Sequence, residues 1–172
     1  MKIKSINPTG RYSNDEISKS IFGIIEKTKL CSVATISSTD EGLQSHISTA
    51  FYCYTNRFDF YILTSPNTIH AKNLEKNSTV ALAIFDSHQV WDSPKEGLQM
   101  FGKMRLAPAT SVPEAFATYI KEYPGLLRYL THPSEIVDKL ENRFFKIEIE
   151  KIRIFDEPSF GSEVWIDVDI EI

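Results

Sequence analysis

Near the amino terminus, Ile17, Ile21, Ile24 and Ile25 recur at the spacing of one helical face. Ser13 and Glu16 stand three residues apart ahead of that run, the spacing of a capping box. A helix is therefore predicted from Ser13 to about Lys29. The period then shortens. Residues 30–37, 46–54 and 58–64 are rich in aromatic and β-branched side chains, and Asp40-Glu41-Gly42 and Asn56-Arg57 separate them as turns. The pattern predicts three antiparallel strands in a meander.

A short helix over 67–75 follows, and then a strand over 79–85 that is apolar on both faces, as in a central strand. A polar loop over 86–96 carries His88, Trp91 and Pro94 and leads into a strand over 97–106. Gly102 within that strand predicts a bulge or a close approach of another backbone. Ser111 and Glu114 repeat the capping-box spacing, with Pro113 in the first turn. Phe116, Tyr119 and Tyr123 then form an apolar helix face. Further helical stretches are expected over 125–129 and 134–140. A long alternating strand spans 144–155, and a last one spans 164–172, where Asp167, Asp169 and Glu171 mark an exposed or edge strand. The result is a single domain over 1–172 with a helical insert at about 111–141. Its six to seven antiparallel strands have no βαβ alternation, which favours a mainly β, α+β barrel or sandwich with flanking helices.

Composition narrows the partners. Apolar residues make up 42% of the chain and charged residues 24%, enough for a real core. The net charge of −4 disfavours nucleic acid and anionic membranes as main partners. No apolar run has the length of a membrane span or the form of a signal peptide, so a cytoplasmic location is expected. Cys31 and Cys53 sit in apolar strand segments and are expected as buried, reduced thiols. The four histidines, His46, His70, His88 and His132, have no metal-ligand spacing, and no metal is expected. No Ser-His-Asp spacing, Gly-rich nucleotide loop or carboxylate pair is evident, so no catalytic residue is assigned.

The candidate chemistry lies where the third strand gives way to the short helix. Thr64, Ser65, Asn67, Thr68, His70 and Lys72 cluster there. A helix start offers free N–H groups and the positive end of the helix dipole, and with hydroxyls and cations nearby it suits a phosphate.

Four landmarks resemble the pyridoxamine 5′-phosphate oxidase-like family of FMN-binding split barrels. They are Val33-Ala34-Thr35-Ile36 with Glu41-Gly42; Phe60-Tyr61-Ile62-Leu63-Thr64 with Thr68 to Leu74 and Asn77; Val80-Ala81-Leu82; and Gly97 to Gly102. The match is best over about 25–107. The resemblance implies an antiparallel split barrel and a homodimer with FMN at the subunit interface. Thr64 and Thr68 would hold the phosphate or the edge of the ring, with Ile69 and His70 where the family often has Arg and Lys, and Lys72 two positions on. The ring would lie along backbone groups of Ile47, Ser48, Thr49, Ile62 and Leu63. Gln99 would offer an amide, and Trp165 and Phe160 would reach in from the partner chain. The implied activity is a redox step on a small molecule. The carboxy-terminal part lacks the substrate-binding Trp and Arg pattern of the true oxidases. A non-catalytic flavin or phosphorylated-ligand binder and a haem-binding split barrel, with His46, His88 or His132 as ligand, are the alternatives.

Overall fold

The computed structural model describes residues 2–5, 11–130, 134–135 and 141–171. The described elements are β1 (Lys2–Ser5), α1 (Asn14–Lys27), β2 (Leu30–Thr39), β3 (Gly42–Tyr54), β4 (Phe60–Thr64), α2 (Ile69–Lys76), β5 (Thr79–Ile84), β6 (Glu96–Leu106), α3 (Val112–Glu122), β7 (Arg143–Asp156), a one-turn helix α4 (Glu157–Phe160) and β8 (Trp165–Glu171). They form one antiparallel sheet in the order β1-β8-β7-β4-β3-β2-β5-β6, and β6 pairs back onto β7. That pairing closes the strands from β7 through β6 into a ring and leaves β8 and β1 as an extension. The sheet thus gains a strand at the amino terminus that the hydrophobic pattern did not reveal. His132 and nearly all of the helix expected over 134–140 lie outside the described residues.

Strand alternation fills the ring. Val33, Tyr52, Phe60, Ile62, Leu82, Met100, Ile147 and Ile152 point inward, and α1 lays Ile17, Ile21, Ile24 and Ile25 into the same core. The Ser13–Glu16 capping box forms as expected. The Tyr52 hydroxyl lies 3.0 Å from Ile25 O and 2.7 Å from Thr28 O, which ties the end of α1 to β3. Gly102 sits at a register shift between β6 and β7, where an added Cβ would lie 2.0 Å from Glu148 O. The close approach expected there is a backbone contact that no side chain fits. A second core lies outside the ring, where Phe116 and Tyr119 of α3 pack with Tyr61, Phe144 and Leu130. Both cysteines are free and buried, and burial pushes each thiol up to about 12.

Several local expectations change. Strand β5 is central, but only Val80, Leu82 and Ile84 are buried, so its second face is half open. Phe58 stands in a turn with φ 69° rather than in β4. Ser111 is already helical and makes no capping bond; its hydroxyl donates to Pro108 O across a 3-10 turn, so the second capping box does not form. Phe160 is 5% exposed and packs on Tyr12, with ring centroids 4.7 Å apart. It is a core residue of this chain and has no surface to offer a partner's site.

Candidate functional site

The ring is closed but not evenly paired. Strands β3 and β4 are in register only from Tyr52↔Ile62 to Tyr54↔Phe60. Beyond that point β3 follows β2, with Ile47, Ser48 and Thr49 opposite Ala34, Val33 and Ser32. Leu63 and Thr64 follow β7, opposite Phe144 and Arg143. Among the described residues no strand pairs with the other edge of either segment. Two unspent backbone edges thus face a split that opens from Ile62. Ile62 itself is paired on both edges and buried in the core, so it forms the base of the split.

Alternation sorts the side chains along β3. His46 and Ser48 are half-buried and point inward, whereas Ile47 and Thr49 point outward. Ser48 Oγ is buried and has no hydrogen-bond partner among the described residues. That is an unusual state for a hydroxyl, shared among the described residues with Tyr61 Oη in the outer core. Ile47 shares a shallow outer pocket of about 300 Å³ with Ala34, Ala81, Gln99 and Phe101.

Helix α2 starts at the mouth of the split. Its N-cap is Thr68, not a residue nearer 67, because Ser65 to Thr68 first form a tight turn. Thr68 Oγ1 donates to Ser65 O at 2.9 Å and accepts from Ala71 N–H at 3.4 Å. No carbonyl or side chain among the described residues accepts from the N–H groups of Ile69 and His70. Free first-turn donors of this kind favour an anion. Asn73 anchors the helix, donating to the buried Thr35 Oγ1 at 3.1 Å.

His70 is the centre of the cluster. Its Nε2 lies 3.0 Å from Thr64 Oγ1 and 3.1 Å from Thr68 Oγ1, and the residue is only 8% exposed. Burial lowers its pKa below the usual histidine value of 6.5, and His46 lowers it further. Near neutral pH it is an uncharged ring rather than the cation its position in the sequence suggests. Ile69 is 60% exposed and adds no charge, and Lys72 is exposed on the helix surface. Arg143, opposite Thr64 on β7, is a cation that sequence reading missed. It lies far along the chain from Thr64, and only the strand register brings them together.

The predicted site residues therefore fall into two groups and two outliers. Thr64, Thr68 and His70 meet in one polar cluster, with Ile69 and Lys72 beside it. Ile47, Ser48, Thr49, Ile62 and Leu63 line the split. Gln99 joins Ile47 on the outer sheet face. Trp165 stands apart on β8, stacked on Phe155 with centroids 4.5 Å apart and 48% exposed. His88 is surface-exposed and bound to Asp86 at 2.9 Å. No group of metal-ligating side chains occurs among the described residues.

Larger clefts lie elsewhere. One of about 350 Å³ runs between α1 and α4, and another of about 370 Å³ lies beside α3. The buried polar pair in the first, Ser20 and Asp156, is fully bonded, so cleft size and unspent hydrogen-bonding capacity point to different places.

Comparison with known proteins agrees with this fold. A protein of unknown function from Agrobacterium tumefaciens superposes with a TM-score of 0.65 at 17% identity, over 86% of this chain. A haem-binding protein from Mycobacterium smegmatis gives 0.68 at 16% identity, over 92%. This chain spans 59% of the length of each. A Clostridium acetobutylicum protein related to general stress protein 26, of the pyridoxinephosphate oxidase family, gives 0.65 at 17% identity, over 92% of this chain and 97% of its own. At these identities the likeness shows the fold. None of the curated proteins matches the sequence. The family model described as pyridoxamine 5′-phosphate oxidase matches residues 17–156, from the first buried isoleucine of α1 to the end of β7, and the chain belongs to the pyridoxamine 5′-phosphate oxidase-like family of split barrels.

Proposed function

We propose that this protein binds FMN in the split between β3 and β4 and serves as a small-molecule oxidoreductase. The observation that carries the reading is the convergence of two unpaired strand edges on the Thr64–Thr68–His70 cluster at the start of α2. The donor set fits the cofactor at both ends. Free first-turn amides, with the Thr64 hydroxyl beside them, suit a phosphate. Strand edges with unspent N–H and C=O groups, beside the orphaned Ser48 hydroxyl, suit the polar edge of a planar ring. When bound, FMN supplies the electron or hydride transfer, and the protein supplies position and electrostatics. The residues for that work are Thr64, Thr68, His70 and the first-turn amides at the phosphate, and the edges of 47–49 and 63–64 at the ring.

We further propose a homodimer. The outer sheet face beside the split exposes Ile47, Phe51, Phe85 and Phe101. A second copy laid on this face would cover them and wall the open side of the split, with Gln99 at the boundary. Trp165, exposed on the same outer face, is available to a partner's site, whereas the buried Phe160 is not. The net charge of −4 supports a small-molecule substrate over nucleic acid or an anionic membrane. No helix of the described residues is long and apolar enough to cross a membrane.

The haem-binding neighbour supports a second reading, in which the scaffold holds haem and half-buried His46 is the available ligand. The visible spectrum of the purified protein, before and after adding FMN, separates the readings. A bound flavin spectrum that reduced nicotinamide bleaches supports the oxidoreductase. A bound flavin that no reductant turns over leaves a binding protein. A Soret band favours haem. No uptake of either chromophore rejects both cofactors.

A further inference from the structure

We propose that His70 makes phosphate capture proton-coupled: the ring is neutral in the free protein, becomes the imidazolium when a phosphate monoester docks at the start of α2, and so takes up a proton from solvent on binding. This rests on the FMN reading above and adds a chemical property that the family resemblance does not supply.

Burial at 8% exposure favours the neutral ring, and hydrogen-bond accounting says which nitrogen carries its hydrogen. A carbonyl oxygen only accepts, so Thr68 spends its hydroxyl proton on Ser65 O, 2.9 Å away. Its oxygen then presents lone pairs to His70 Nε2 at 3.1 Å. A bare Nε2 would set lone pair against lone pair, so Nε2 carries the hydrogen. Thr64 Oγ1, 3.0 Å from the same nitrogen, is a second acceptor for that N–H. The two threonines thus hold the Nε2–H tautomer, and Nδ1 is the atom that titrates.

The surroundings set the sign. His46 faces the cluster from β3, and Arg143 lies opposite Thr64 on β7. Lys72 is on the same helix. On the other flank of α2, Glu75 and Arg105 of β6 line a small apolar pocket with Leu74. Arg105 is paired with Glu148 at 3.6 Å, so burial, with His46 second, is what keeps His70 neutral in the free site. A dianionic phosphate reverses that balance. An opposite charge close by favours the charged form, and a pKa raised by one unit corresponds to about tenfold in affinity. Affinity therefore rises as pH falls from the pKa of His70 in the complex to its pKa in the free protein, and is flat outside that window.

The test is isothermal calorimetry of the full-length protein with FMN at pH 7.5, in buffers of different ionisation enthalpy, with riboflavin as the phosphate-free control. At this pH a phosphate monoester, with a second pKa of about 6, is already mostly dianionic. The expected result is fractional proton uptake with FMN, none with riboflavin, and loss of the FMN uptake in His70→Gln. FMN should also bind wild type about tenfold more tightly at pH 5.5 than at pH 8, relative to the same ratio for His70→Gln. Histidine side-chain NMR of the wild-type complex reads the ring directly and does not depend on the variant's folding. FMN binding without proton uptake, a neutral His70 in the complex, or uptake that survives His70→Gln and vanishes in His46→Gln overturns the inference while the FMN reading stands. Failure to bind FMN or riboflavin at any pH rejects the FMN reading itself.

Discussion

Where α1 meets the end of β7, Asp156 accepts from Ser20 Oγ at 2.5 Å and from Ser159 N–H at 3.0 Å, and the buried polar atoms there are paired. Where α2 meets the split, Ser48 Oγ is orphaned, two first-turn amides have no acceptor and one imidazole nitrogen is shared by two threonines. Both junctions join a helix to the same barrel, and the first has the larger cleft. Unsatisfied buried polar groups cost free energy. The contrast between a saturated junction and an unsaturated one is what supports the ligand site proposed at the second.

Four measurements break or sharpen that contrast. The largest effect is expected at the seam that closes the ring. Gly102→Ala drives a Cβ into Glu148 O and should cost at least about 3 kcal/mol, at or beyond the upper end of overpacking costs, read by chemical denaturation. A stable Gly102→Ala protein would show that the β6–β7 contact is looser than described. Next, Asp156→Ala strands Ser20 and the Ser159 N–H, and should lose about 2–3 kcal/mol of stability while FMN affinity stays within twofold. A large loss of FMN affinity there would erase the distinction between the two junctions.

Thr68→Ala should show the reverse balance. Loss of a helix N-cap costs about 1 kcal/mol of stability, while FMN affinity falls about tenfold as the cap that shapes the phosphate turn and the His70 tautomer lock disappear. Unchanged affinity would mean that the phosphate lies elsewhere. The smallest effect is on the ligand-free protein. Because the folded-state pKa of His70 lies below 6.5, the unfolded chain binds its proton first as pH falls. Stability conferred by the neutral ring is complete above about pH 6.5, is lost as pH falls through the depressed folded-state value, and levels off below it. The melting temperature of wild type should drop over that window more than that of His70→Gln, a slope opposite in sign to that of FMN affinity. Parallel profiles would remove His70 as the titrating group.

Much of this was legible locally. The isoleucine run and the Ser13–Glu16 box specify α1, and alternating apolar residues specify the strands around it. Gly102 announced a backbone contact because little else explains a glycine in such a strand. The same local logic misplaced Ser111, since a 3-10 turn ahead of α3 had already made that residue helical. It also left Phe160 as a candidate for a partner's site, because an aromatic at the start of a turn looks alike whether Tyr12 covers it or solvent does.

Taken alone, the sequence determined the kind of elements, their order, the family and the position of the anion-friendly helix start, because periodicity, caps and turns are properties of neighbouring residues. The tertiary structure decided which strand edges remain unpaired, that Arg143 stands opposite Thr64, and that His70 is a buried neutral ring rather than an exposed cation. Those are matters of register and desolvation. Both depend on segments far apart in the chain, and no local pattern encodes them.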